Sequence, residues 1–207
     1  SNLIAVGSGA TASFTSNITA NRTISLDTPR TIGNITFNDA SNDLIIAGAN
    51  TLTLDVPAGS PVIDVTQSGR TLTVSTVITG NKGLQKNGAG ILSLAATNTY
   101  TGTTSVTNGI LSLGTVSLSG FGGGSGRNIS VSTGAAIMRN ALDNTFLNRL
   151  VENTNECTLM TGATSNNLDF SSSTGANLPN AFLGNWASNG AKCEISGTLT
   201  PASDAYR

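Results

Sequence analysis

Histidine is absent from the 207 residues, which removes the commonest general base, the usual partner of a serine nucleophile and the most frequent transition-metal ligand. Hydrolysis by a Ser-His-Asp arrangement is excluded. Charge is scarce, with 10% of residues ionisable and a net charge of -1. Lys82, Lys86, Lys192 and the arginines are scattered along the chain, so no basic stripe exists to neutralise a phosphate backbone, and nucleic acid is not an expected partner. There is no stretch of about 18 or more apolar residues, so this segment is not expected to insert into a membrane. The opening SNLIAVGSGA lacks the basic and apolar regions of a signal peptide, so export would depend on a signal already removed or lying outside these residues. Cysteine occurs twice, at Cys157 and Cys193. In an oxidising compartment the two would pair and close a loop worth about 3 to 4 kcal/mol in the chain-entropy picture; two separately buried thiols are the alternative.

Hydrophobic residues make up 38% of the chain, enough to bury a core, and Gly, Ser, Thr and Asn fill the spaces between them. The pairs Leu52/Leu54, Leu72/Val74, Leu92/Leu94 and Leu111/Leu113 recur at intervals of about 20 residues, each pair separated by one Ser or Thr. Short alternating segments surround them: Ala12–Phe14, Thr23–Leu26, Thr31–Phe37, Leu44–Ala47, Leu52–Val56, Val62–Val65 and Thr71–Ile78, the last read as one strand or as two bent at Ser75-Thr76. A β-sandwich would space its strands at roughly 8 to 12 residues without a larger period. The longer period instead predicts two or three strands per coil, each pairing in parallel with its copy one turn away. The expected fold is all-β, a right-handed parallel β-helix over residues 1–119. A Gly-rich connection at 120–127 and a smaller β-rich C-terminal region at 128–207 follow.

The stretch KGLQKNGAGILSLAATNTYTGTTSVTNGILSLG, Lys82 to Gly114, resembles the autotransporter-associated β-strand repeat, also called the passenger-associated transport repeat. The resemblance rests on Lys86, Gly88, Gly90, Leu92, Leu94, Asn98, Tyr100, Gly102, Thr104, Gly109, Leu111 and Leu113. It covers about 33 residues, with looser likeness in the flanks. What it implies is a β-helix carried on an exported protein at the cell surface of a Gram-negative-type bacterium. It implies no reaction.

Beyond Gly114 the pattern changes. GFGGGSG at Gly120–Gly126 lacks the helix and the lysine that a phosphate cradle would need. Asn140–Val151 reads as a helix near 140–151, capped by Asn140, with Leu142, Phe146, Leu147, Leu150 and Val151 on one apolar face. It would either cover an open end of the coil or dock on a neighbouring molecule. Phe182 and Trp186 are expected to pack a smaller C-terminal cluster.

Candidate chemistry is thin. Asp39 with Asp43, or Asp55 with Asp64, could form a carboxylate pair acting on sugars, but each stands beside a turn, where a capping Asp is the plainer reading. The G-G-x-G-x-D calcium repeat is missing. No catalytic residue, metal ligand or cofactor is assigned, and no enzyme is expected. The expected function is that of an extracellular structural protein, a spacer or a subunit that joins copies of itself end to end into a fibre. The alternative is an adhesin or polysaccharide-binding module using the face near Asn98 and Tyr100. Against that alternative stands Tyr100 as a packed turn aromatic whose hydroxyl reaches solvent.

Overall fold

The computed structural model describes residues 6–15, 18–118, 121, 126–151, 156–170, 179–185 and 197–201. Among them are nineteen strands and one short helix. Sheet A stacks β1 (Thr11–Phe14), β4 (Asn34–Phe37), β7 (Val62–Val65), β10 (Leu84–Asn87), β12 (Thr104–Val106) and β14 (Ile129–Val131) in that order. Sheet B stacks β2 (Arg22–Ser25), β5 (Leu44–Ala47), β8 (Thr71–Val74), β11 (Ile91–Leu94), β13 (Ile110–Gly114), β15 (Ala136–Arg139), β16 (Thr158–Thr161) and β18 (Phe182–Asn185). A third wall holds β3 (Arg30–Ile32), β6 (Leu52–Leu54) and β9 (Ile78–Thr79), and β17 (Leu168–Asp169) pairs with β19 (Leu199–Thr200). Neighbours in every sheet run parallel. The chain is a parallel β-solenoid of about 7 turns.

Two-residue alternation explains the walls, because consecutive side chains of a strand point to opposite faces. Leu44, Leu72, Leu92, Leu111, Ile137 and Leu159 form one inward column on sheet B, and none is more than 2% exposed. Each such side chain stabilises the fold by about 1.5 to 3 kcal/mol relative to exposure. Ile35 and Ile63 continue the same logic on sheet A.

The register corrects one reading of the repeat. Leu72 stacks on Leu44, whereas Leu52 and Leu54 lie on the third wall, with Leu52 opposite Ile78. The spacing near 20 holds from Leu72 through Leu92 to Leu111, whereas the coil between β4 and β7 is longer, with coil-to-coil contacts spanning 28 or 29 residues. So is the step from β13 to β15, where Ser112 meets Met138 26 residues on. The Thr71–Ile78 segment is two strands on different walls, β8 and β9.

The helix also differs from expectation. α1 is a single turn, Asn144–Leu147, capped by Asp143, whose carboxylate accepts from the Phe146 N–H at 2.7 Å. It stops early because the chain must return to sheet A, where Leu150 bridges to Ile129. Leu142, Phe146, Leu147 and Leu150 are buried within the coil, Val151 is half-buried, and α1 packs against β17 rather than over an end. Those side chains are therefore unavailable to a partner. Phe182, expected to pack, is 60% exposed on β18; Trp186 lies outside the described residues, as does most of the Gly-rich connection.

Candidate functional site

The coil built from β10, β11 and the segment to Thr101, with the next coil from β12 and β13, contains nearly every residue of the repeat motif. Leu84 points inward on β10, so alternation carries Lys86 inward too. Lys86 faces Ile63 on one side and Val106 on the other, and is 0% exposed. Its ammonium has three donors, and all three find carbonyls: Asn87 and Gly88 at 2.7 Å in its own turn, and Asn108 at 3.1 Å in the next coil. Lys86 is thus a strap between two successive corners. Burial pushes its pKa down to about 8, and the Asp64 carboxylate opposes that shift.

The corner beneath the strap can only be glycine. Gly109 has φ +66°, and a Cβ there would lie 2.5 Å from the Gly90 carbonyl oxygen of the coil below. At Gly102, φ is +85° and a Cβ would stand 2.8 Å from the Gly83 nitrogen. Left-handed backbone and close stacking each require the missing side chain.

Asn98 and Tyr100 are interior residues, each 1% exposed. The Asn98 side-chain oxygen accepts from the Ile78 N–H at 2.8 Å. The Tyr100 hydroxyl pairs with the buried Thr104 hydroxyl at 2.7 Å, and its ring meets Phe121 at a centroid distance of 5.1 Å. Burial raises the phenol pKa above its ordinary value, which the Thr104 bond and Arg149 partly offset. The hydroxyl does not reach solvent, and no glycan-binding face exists at these two residues. Arg149 fixes the same corner from outside the motif, donating to the Leu118 carbonyl at 3.0 Å and also to the Phe121 carbonyl.

Three of the four carboxylate candidates, Asp39, Asp43 and Asp64, accept hydrogen bonds at or near turns. Asp39 accepts from the Ser41 and Asn42 N–H groups at 2.9 and 2.7 Å and from Ile18 at 2.7 Å; the Ser41 bond leads in holding its pKa below the ordinary value, against desolvation. Asp43 accepts from the Thr71 N–H at 2.9 Å and lies 3.8 Å from the Arg70 guanidinium. Asp64 faces outward on β7 and accepts from Thr66 at 2.7 Å, while Asp55 follows β6 on another wall. No group of three His, Cys, Asp or Glu that could hold a metal occurs among the described residues. Cys157 is buried, which pushes its thiol pKa up; Cys193, its expected partner, lies outside the described residues.

One device escaped the sequence. Asn and Asp side chains at the corners satisfy backbone donors of the adjoining coil: Asn21 to Asp43, Asn34 to Val62, Asn144 to Asp169 and Asn167 to Thr198, each at 2.9 Å. The signal was available, because Asn or Asp stands at or just before several strands.

A parallel solenoid with glycine-only corners, a buried lysine strap and a tyrosine-plugged turn is a stacking architecture with no reaction centre built into its motif. Residues 84–113 match the model of the passenger-associated-transport-repeat family. The chain is also similar to the protein described as "Adhesin BmaC autotransporter" from Brucella suis biovar 1 (strain 1330), with 39% identity over 115 residues, 56% of this chain. The aligned part covers 3% of that protein's length. No solved structure matches the chain. No helix among the described residues is long and apolar enough to cross a membrane.

Proposed function

We propose that this chain is a non-catalytic module of a secreted or surface-exposed adhesin passenger, serving as a rigid spacer that presents neighbouring segments away from the cell. The observation that carries this reading is the fate of the repeat motif. Lys86, Asn98, Tyr100 and the corner glycines are all consumed in joining one coil to the next, so the motif's chemistry is spent on stacking. Similarity to an adhesin passenger points the same way. Display of residues 1–207 between a non-adherent bacterial surface and a short binding segment tests it: adhesion that depends on the raised segment, without turnover of a polysaccharide panel, supports the reading, and turnover by the chain sinks it.

End-to-end joining of copies is a second reading, favoured by the last strands. Phe182 is 60%, Leu183 38% and Leu199 48% exposed, and Leu183 continues the inward column, so a further strand would cover apolar surface and complete the ladder. Sedimentation over a concentration series with electron microscopy decides this reading, and a monomer without filaments at every concentration rules it out. Surface polysaccharide remains a candidate partner only for faces other than the Asn98–Tyr100 corner.

A further inference from the structure

The two broad walls differ in their outward chemistry. Sheet A shows solvent Asn34, Asp64, Gln85, Asn87 and serines. Sheet B, from β8 to β16, shows only Thr, Ser, Ile, Ala and Met at its outward positions, with no charged residue. Ile91, Ile110 and Ala136 form one outward row in direct register, and Met138 and Met160 form part of the next. Ile45 extends the face to β5 at 37% exposure.

We propose that the outward face of sheet B is a lateral contact between copies of this chain, two such walls packing face to face. Three features select a second copy as the occupant. The face has no charge, so like meets like without repulsion, and a polyelectrolyte gains nothing there. Its rows repeat at the strand spacing of about 4.8 Å, a ridge period that another such solenoid matches over many coils and a globular surface does not. Its size fixes the strength. The six strands from β5 to β16, at that spacing and four residues long, give a footprint of about 350 Å² per copy. Stable complexes bury about 800 Å² per partner, so one pair associates transiently. Many copies held side by side on one surface bind firmly through effective concentration. This contact is lateral and therefore separate from the end-to-end reading above.

The test uses beads densely coated with the purified chain. Wild-type beads should clump, and should still do so in 0.5 M salt because the contact is apolar. Ile110→Lys and Met160→Lys should each reduce clumping at least tenfold with unchanged circular dichroism. Gln85→Lys, on the outward face of sheet A, should clump as wild type does. Should one of the first two fail to fold, Ser93→Lys places the same charge on the same wall. Leu199→Lys separates the two geometries, since it weakens an end contact and leaves a lateral one intact. The proposal is overturned if wild-type beads stay apart, if clumping disappears with salt, if the sheet B variants clump like wild type, or if this face instead captures a glycan array or neutral lipid vesicles.

Discussion

Lys86 offers the most quantitative test of how the coil is built. A lysine in the unfolded chain titrates near 10.5, and burial in the folded corner brings it to about 8. Below pH 8 both states hold the proton, and stability does not depend on it. Between about 8 and 10.5 the unfolded chain binds the proton and the folded chain does not, so unfolding takes up a proton and stability rises with pH. Each unit is worth about 1.4 kcal/mol, which makes the whole window about 3 kcal/mol. The three carbonyl bonds favour the ammonium and make that figure a ceiling. The perturbation is Lys86→Met, which keeps the aliphatic bulk and cannot titrate. Urea unfolding of both proteins at pH 7, 8, 9 and 10 should show the wild type gaining on the variant across the window. Tyr100 and Cys157, whose pKa values burial raises, lower stability at high pH, but they do so in both proteins and cancel in the comparison. The offset at pH 7 combines relief of a buried charge with three stranded carbonyls, so the slope is the informative quantity. Parallel profiles from pH 7 to 10 would refute the claim that a desolvated ammonium sits inside the corner.

Three further outcomes are expected. Gly109→Ala should cost more than 3 kcal/mol, since it combines a left-handed φ with a Cβ driven onto the Gly90 carbonyl, and thermal unfolding with circular dichroism reads it. Phe121→Ala should cost about 3 to 5 kcal/mol by opening a cavity beside Tyr100; a loss under 1 kcal/mol would mean that Phe121 does not plug the corner. Tyr100→Phe should cost about 1 to 2 kcal/mol through the stranded Thr104 hydroxyl, with attachment of displayed protein to glycans unchanged. Lost attachment in a folded Tyr100→Phe protein would overturn the interior placement of this side chain.

Much of the fold was legible wherever strands alternate cleanly. The pairs Leu92/Leu94 and Leu111/Leu113 are the inward positions of β11 and β13, because period-two patterning is local information. β10 and β12 were not read as strands, since LQKN and TSV carry a lysine or hydroxyls at inward positions. Their inward parity makes sense only once Leu84 is fixed against a neighbouring coil. Leu52/Leu54 misled for a related reason: an L-x-L pair looks the same on any wall, and only the register assigns it to the third one. The helix was overextended because Leu142, Phe146, Leu147 and Leu150 have helical spacing while lying on a loop, one turn of helix and a bridge. Asn98 and Tyr100 resemble ligand-binding residues in any list. What makes them structural is tertiary, namely an Ile78 amide and a Thr104 hydroxyl that no spacing rule supplies.

The stability of a stacked coil is a sum over neighbours, and that governs how this chain should come apart. The middle coils are sealed on both sides: Leu72, Leu84, Leu92, Lys86 and Leu111 are all 0% exposed. Among the described residues the outermost coils pair on one side only, and Val6 at 55% and Leu183 at 38% exposure lie there. Hydrogen exchange should therefore be slowest for the amides of β8, β11 and β13 and quicken toward β2 and β18. Lys86 belongs to this gradient in a particular way, because its bond to Asn108 crosses from one coil to the next. Removing it weakens one neighbour interface while leaving the others as they were. In Lys86→Met, protection should fall first in β10, β12 and the 107–109 corner, turning the centre of the rod into a new weak point while β4 and β5 keep their rates. A uniform loss of protection along the whole chain would mean that the coils unfold as one cooperative block, and that the strap has no local role.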